Sequence, residues 1–142
     1  MYSAHAEGVI AIRLEAGEDV HASLLSACQQ HDVRQAYVVS GIGMLADPTL
    51  GYFVSKGQYE QREVPGRFEL LSLSGNICLH DGKLMAHLHA MLAHEDLSVF
   101  GGHLFAAKVG LTLEALLNVI PPSIRMYRQL EDETGLAGLL VE

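Results

Sequence analysis

Residues 85–104 read MAHLHAMLAHEDLSVFGGHL and decide how the rest of the chain is interpreted. The stretch holds two histidines two positions apart, His87 and His89, and a third, His103, behind a pair of glycines. Residues two apart in an extended strand point to the same face of a sheet, so His87 and His89 share one face. Asp96 lies between two apolar runs, which is typical of a turn. The stretch therefore predicts two strands joined by a reversal near Asp96.

Three imidazoles that converge from adjacent strands suit a divalent metal ion. We predict that the run 99–104 pairs beside the first strand and completes a site of His87, His89 and His103. Imidazole is a good ligand for zinc, the cofactor that we expect, and three protein ligands leave a fourth position open, as in catalytic zinc sites. The same spacing would also arise from two histidines on the solvent face of a strand and one in a loop, because the chain contains eight histidines.

Substrate-binding candidates lie near these histidines in the predicted sheet. Gly101 and Gly102 precede His103, and glycine within a strand marks a bulge or a close backbone approach. Glu69 and Asn76 belong to the preceding long strand. We predict that the two glycines give backbone access and that Glu69 or Asn76 orients a small-molecule substrate. Glu69 could equally be a solvent-exposed strand residue with no role in substrate binding.

The composition indicates one folded domain covering residues 1–142. Hydrophobic residues make up 49% of the chain and its mean hydropathy is +0.21, which supports a core and excludes a disordered chain. The net charge is −8, and the nine Lys and Arg residues are scattered. Nucleic-acid-binding domains usually carry a basic patch, so the charge balance disfavours DNA as a partner.

Sequence context favours a cytoplasmic protein with no membrane segment. Cys28 and Cys78 lie far apart with apolar neighbours, which predicts buried, reduced thiols. The first residues, MYSAHAEG, lack the basic and apolar regions of a signal peptide, and no apolar run approaches the roughly 20 residues that span a bilayer. The high apolar content of so small a chain also indicates surface that is buried in an oligomer.

Hydrophobic patterning predicts an α+β fold, mainly an antiparallel β-sheet with one flanking helix. The helix covers residues 19–31, where apolar residues recur at helical spacing. Gly41 and Gly43 lack the third glycine and the Lys-Ser/Thr of phosphate-binding loops, which favours a bulge or bend. Asp47-Pro48 predicts a turn. Residues 106–119 fit either a strand or a helix. Further strands are predicted at 8–14, 35–40, 49–54, 58–64, 68–79 and 123–130.

Five sequence blocks, taken together, are specific to one family. They are RLEAGEDV, VVSGIGMLADPTLGYF, GRFELLSLSGNI, HLHAMLAHEDLSVFGGHL and YRQLEDETGL, and they are distributed from residue 13 to residue 136. In order and content they resemble the PPC domain, the plants-and-prokaryotes conserved domain. The resemblance implies an antiparallel sheet with flanking helices that assembles as a homotrimer. It also implies a metal site at His87, His89 and His103, near a subunit interface.

The family resemblance leaves three functions open. The resemblance also implies a fold similar to that of acetolactate decarboxylase, which holds zinc with a His-x-His pair and a later His, and this likeness in fold and ligands supports the metal site. A metal-dependent enzyme acting on a small substrate is the first hypothesis. A non-catalytic trimeric assembly or binding module is the second hypothesis. The third is a DNA-binding regulator, since plant members are fused to AT-hooks that bind the minor groove. The 142 residues contain no Arg-Gly-Arg-Pro hook, which disfavours this third role.

Overall fold

Nine strands and one helix make up the chain in the computed structural model, which describes residues 1–142. All strand pairs are antiparallel except that of β5 with β8. The predicted α+β class, a mainly antiparallel sheet with one helix, is confirmed. In chain order the elements are β1 (Tyr2–Ala6), β2 (Val9–Glu15), α1 (Val20–Gln30), β3 (Ala36–Ser55), β4 (Gln58–Glu63), β5 (Arg67–His80), β6 (Lys83–Ala93), β7 (Val99–Val119), β8 (Met126–Leu130) and β9 (Ala137–Val141).

The four longest strands pair in a closed cycle. β3 pairs with β5 and β7, and β6 pairs with both β5 and β7. β7, with 21 residues, pairs with β6 near its start and with β3 and β2 further along. Because twist accumulates along such long strands, register shifts interrupt the ladders and let each strand change partner. One hydrophobic core is built from these strands together with β2 and α1.

Helix α1 follows directly from its sequence. Asp19 is the N-cap, and its carboxylate accepts a hydrogen bond of 3.0 Å from a backbone N–H of the first turn. Val20, Leu24 and Cys28 recur every four residues, and all three are buried against the sheet. The helix ends at Gln30, so the predicted limits correspond to its two capping residues.

Two strands that were predicted as separate are one continuous strand. The sequence predicts strands at 35–40 and 49–54, but β3 runs unbroken through Asp47-Pro48. Asp47 has a φ of 47°, and its carboxylate accepts a hydrogen bond from the Gly66 N–H at 2.8 Å. The predicted turn is wrong because this dipeptide makes a bulge within a strand. The predicted bend near Gly43 is confirmed as a register shift with β7.

The ambiguous run 106–119 is a strand. β7 joins it to the predicted strand 99–104, and burial alternates with a period of two: Leu113, Ala115 and Leu117 are buried while Glu114 is exposed. β1 and β9, which lie at the two ends of the sheet order, are not predicted by the sequence pattern. Their short sequences, YSAHA and AGLLV, show no clear alternation.

A bulge in β5 turns Asn76 away from the core. The register with β6 shifts between Leu70 and Ser72, so side chains change face at that point. Leu70 belongs to the core before the shift, and Leu73 and Ile77 belong to it after the shift. The strand predicted over residues 68–79 is therefore present, but its side chains do not alternate uniformly between the two faces. Asn76 lies outside the core cluster, on the opposite face.

The two cysteines confirm the prediction made from their apolar neighbours. Cys28 and Cys78 are both buried and free of any disulfide. Burial raises the pKa of the Cys28 thiol to about 11 and also raises the pKa of the Cys78 thiol.

The single helix has 11 residues, and no helix of this protein has the length and apolar character needed to cross a bilayer.

Candidate metal centre

The predicted histidine cluster is assembled on β6 and β7. His87 and His89 lie two residues apart on β6, and Leu88 between them is fully buried on the other face. His103 on β7 pairs directly opposite His89. Asp96 stabilises the reversal between the strands, because its carboxylate accepts a 3.0 Å hydrogen bond from a backbone N–H two residues on. The predicted hairpin and its three-histidine cluster are both confirmed.

The spacing of the three imidazoles fits a metal ion. Ring centroids are 4.9 Å apart for His87 and His103, 5.1 Å for His87 and His89, and 5.3 Å for His89 and His103. The Nε2 atoms of His87 and His89 are 3.2 Å apart, and one nitrogen from each ring lies within 4.8 Å of the others. Tetrahedral zinc with bonds of about 2.0–2.1 Å sets its ligand nitrogens about 3.3 Å apart. The Nε2 atoms of His87 and His89 have this spacing. Small rotations of the side chains would bring the nitrogen of His103 to the same distance.

An unsatisfied ring nitrogen marks the buried side of the cluster. His103 packs against Tyr59 and Phe105, with ring centroids 5.2 and 4.4 Å away. Its Nδ1 is buried and has no hydrogen-bond partner. Buried polar atoms are nearly always paired, so an exception at a site of this kind points to an ion or ligand that interacts with the ring.

The electrostatic environment keeps the His87 and His103 imidazoles neutral. Burial, together with the Arg128 guanidinium and His89, lowers the pKa of His87 to about 4. Burial likewise lowers the pKa of His103 to about 4, with contributions from the surrounding histidines and Arg128. A pKa this low leaves both rings unprotonated near pH 7. Neutral imidazole is the form that binds a metal ion, so these two rings do not need a pH change to accept one.

The metal-free protein should lose stability on acidification because of His87 and His103. Their pKa is about 6.5 in the unfolded chain and about 4 in the folded protein. Between these values the unfolded state binds more protons, so stability rises with pH across this window and is lost as pH falls through it. We expect the melting temperature in EDTA to decrease from pH 6.5 to 4, and to decrease less in the H87A/H103A variant. Circular dichroism measures both profiles; parallel curves would contradict the prediction.

Arg128 is part of this site although the sequence pattern alone does not mark it. β8 lies parallel to β5, and the Arg128 Nη2 is 2.7 Å from Asn76 Oδ1 and 2.9 Å from His87 Nδ1. Arginine only donates hydrogen bonds, so in the metal-free protein His87 Nδ1 is the acceptor and the ring proton lies on Nε2. An ion bound through Nε2 would displace that proton, and the neutral ring would then carry it on Nδ1 and give up the hydrogen bond from Arg128. Met126 and Arg128 lie two residues apart and are both buried, so Arg128 is on the inward face of β8. A charged residue at an inward-facing strand position is the one feature of the sequence that could have suggested a role for Arg128.

Of the two predicted substrate-binding residues on β5, the structure brings only one to the histidine cluster. Asn76 pairs opposite His87 and is 9% exposed, so the structure brings it to the cluster. Glu69 pairs opposite Ala93 and is exposed. At roughly 3.3 Å per residue it lies about 23 Å along β5 from Asn76. Within one chain, Glu69 is not brought to the histidines.

The two glycines of the site serve strand packing. A Cβ at Gly101 would overlap the carbonyl oxygen of Ala90 on β6. A Cβ at Gly102 would lie 2.9 Å from the carbonyl oxygen of Gly51 on β3. The close backbone approach that was predicted beside His103 is therefore present. At each glycine, a carbonyl oxygen of a neighbouring strand takes the space that a side chain would fill.

Comparisons with known proteins agree on the fold and the family. A model of the Plants and Prokaryotes Conserved (PCC) domain matches residues 1–121. A plant- and prokaryote-conserved (PPC) protein from Pyrococcus horikoshii is 29% identical, with a TM-score of 0.82 over 96% of this chain and 92% of that one. A metal-containing protein from Archaeoglobus fulgidus is 28% identical, with a TM-score of 0.83 over 96% and 95%. A protein from Bacteroides thetaiotaomicron whose name proposes DNA binding shares the fold at 21% identity, with a TM-score of 0.88 over 97% and 95%.

A curated relative is similar to this chain over a short part of its own length. The bifunctional protein GlmU of a Synechococcus strain is 30% identical over 131 residues, which are 92% of this chain and 20% of that protein. The chain likewise spans 20% of a second such relative. The family model covers most of the chain, and the solved structures share its whole fold. The chain therefore belongs to the Plants and Prokaryotes Conserved (PCC) domain family, as its sequence blocks predict.

Proposed function

We propose that this chain is a homotrimeric, divalent-metal-binding domain whose three-histidine site serves a reaction of a small substrate. The observation that carries the proposal is the convergence of three imidazole nitrogens within 4.8 Å. The rings of His87 and His103 are neutral near pH 7, as metal ligands must be. The structurally similar protein from Archaeoglobus fulgidus, which is named as metal-containing, supports the same proposal.

The chemistry follows from the donor set. His87, His89 and His103 would hold the ion, and zinc suits three imidazoles with one position open. Bound there, the ion would act as a Lewis acid toward a substrate oxygen. In the metal-free protein Arg128, which also donates a hydrogen bond to Asn76 Oδ1, orients the His87 ring by donating to Nδ1. Both cysteines of the chain are buried thiols, which are not available as nucleophiles.

Exposed apolar side chains support assembly into an oligomer. Tyr2, Ile42 and Leu116 are 61%, 51% and 40% exposed, and they line one shallow groove across β1, β3 and β7. Contiguous apolar surface of this kind is usually covered by a partner. We propose the partner to be further copies of this chain, arranged as the trimer that the family resemblance implies. The free buried thiols are in keeping with the cytoplasmic location that we also propose.

A non-catalytic trimeric module is the second candidate function. The same apolar groove favours it, with the metal ion, if bound, helping to fix the interface. We do not propose DNA binding, because a chain with a net charge of −8 is repelled by the phosphate backbone.

Native mass spectrometry of protein purified without a histidine tag tests both parts of the proposal. We expect a species of three times the chain mass of 15.4 kDa. It should carry about one ion per chain, because each chain contributes one three-ligand site. Elemental analysis then names the metal. A trimer with less than about a tenth of an ion per chain would remove the enzyme proposal and leave the assembly module. A monomer would remove the assembly.

A further inference from the structure

Arg128 is a buried cation with no countercharge. The residue is 7% exposed, and none of the five ion pairs of the chain includes it. A buried charge of this kind is costly unless an opposite charge accompanies it. Burial raises the pKa of the nearby Cys78 thiol, so that sulfur is protonated near pH 7 and supplies no negative charge.

The hydrogen bonds of the guanidinium are also incomplete. Its three bonds go to neutral acceptors, which are Asn76 Oδ1 at 2.7 Å, His87 Nδ1 at 2.9 Å and the Ala137 carbonyl oxygen at 2.7 Å. A guanidinium has five N–H donors. The Nε–H of Arg128 is buried and has no acceptor. This side chain can therefore pair with a negative charge and donate further hydrogen bonds.

The surroundings of the histidine cluster contain no acid to balance this charge. The side chains that shift the pKa of His87 and His103 are Arg128 and neighbouring histidines, and no carboxylate is among them. A divalent ion held by the cluster would add two positive charges beside the guanidinium. Since the chain supplies no anion at this place, the loaded site would favour an anionic ligand.

We propose that Arg128 is an anion-recognition residue and that the ligand of the histidine cluster is a small carboxylate. This inference rests on the proposed metal site and names the class of molecule that the site takes. A carboxylate accepts charge-assisted hydrogen bonds from the planar guanidinium. Arg128 contacts the Nδ1 edge of His87, whereas an ion would bind at Nε2, so a ligand that takes both the guanidinium and the ion would extend around the edge of one imidazole ring. His89 is exposed, which leaves one side of the cluster open to such a ligand.

Titration calorimetry of zinc-loaded protein with glycolate tests the proposal. We expect glycolate to bind the wild type and to bind R128M at least about tenfold more weakly, because charge-assisted hydrogen bonds are lost. R125M is the matched control. Arg125 is exposed and pairs with Glu142 at 3.0 Å, so the variant changes charge equally without touching the site. Its glycolate affinity should stay within about twofold of the wild type. Glycolamide, the neutral analogue, should show no dependence on Arg128.

R128K provides a second test in the event that R128M does not fold. Lysine keeps the charge but loses the planar fork, so we expect about a three- to tenfold weakening. Elemental analysis of each sample separates the two proposals: wild type without metal contradicts the metal site. Metal-loaded proteins with equal glycolate affinity in wild type and R128M would overturn the role of Arg128, as would the absence of glycolate binding to the wild type. Tighter binding of inorganic phosphate than of glycolate would overturn the carboxylate class.

Discussion

Replacing His87 and His89 with alanine should abolish metal binding and leave the fold intact. The H87A/H89A variant loses two ligand nitrogens that lie 3.2 Å apart, and His103 alone cannot hold an ion against water. Loss of a residue that merely supports a ligand already costs about 10–100-fold in affinity. Loss of two ligands should therefore weaken binding by more than about a hundredfold. Elemental analysis after dialysis against a fixed zinc concentration measures the effect.

H94A is the matched control for this variant. His94 lies in the exposed turn before β7, where its ring stacks on Phe100 at 4.4 Å and takes no part in the cluster. It should keep its full metal content. An unchanged metal content in H87A/H89A would contradict the site. A trimer that dissociates only in H87A/H89A would show that the ion holds the interface together, which favours the assembly module.

Replacing Gly75 with alanine should destabilise the protein more than other single changes near the site. Gly75 has a φ of 154° and pairs with Leu88 on the strand that carries the histidine pair. A Cβ at this position would overlap the carbonyl oxygen of His87 and come within 3.0 Å of the Leu88 Cα. These atoms belong to the backbone, so the two strands must separate. We expect G75A to lose about 3–5 kcal/mol in the free energy of unfolding, measured by urea denaturation.

G82A separates the backbone overlap from backbone strain. Gly82 lies in the turn between β5 and β6 with a φ of 76°, and a Cβ there would meet nothing within 4 Å. Its loss of stability should be about 1 kcal/mol, which is the strain of a left-handed conformation alone. G75A should also bind zinc more weakly, because the strand of His87 has moved, whereas G82A should bind it normally. Equal stability of the two variants would contradict this account.

The histidine cluster was predictable because each step toward it is local in sequence. The period of two along a strand puts His87 and His89 on one face, and the turn at Asp96 returns the chain so that His103 lies opposite His89. Helix α1 was predictable for the same reason, since its cap and its apolar spacing lie within the segment itself. Such signals do not depend on distant parts of the chain.

The bulges were harder to predict because distant strands decide them. Asp47-Pro48 has the sequence of a turn, but its hydrogen bond to Gly66 and its pairing with β7 keep the chain in one strand. The shift near Leu71 likewise appears only when β5 is paired with β6. That shift decides that Asn76 leaves the core face and meets His87.

The sequence by itself determined the family, the sheet-rich fold class and the three imidazoles, because local periodicity and turn chemistry carry that information. Only the tertiary structure decided that Arg128 joins them. The residue lies 41 positions beyond His87 and reaches it through the parallel pairing of β8 with β5. No pattern within a single strand specifies which strand will lie beside it. The charge of the site, and with it the class of ligand that the site would accept, therefore depends on long-range strand pairing.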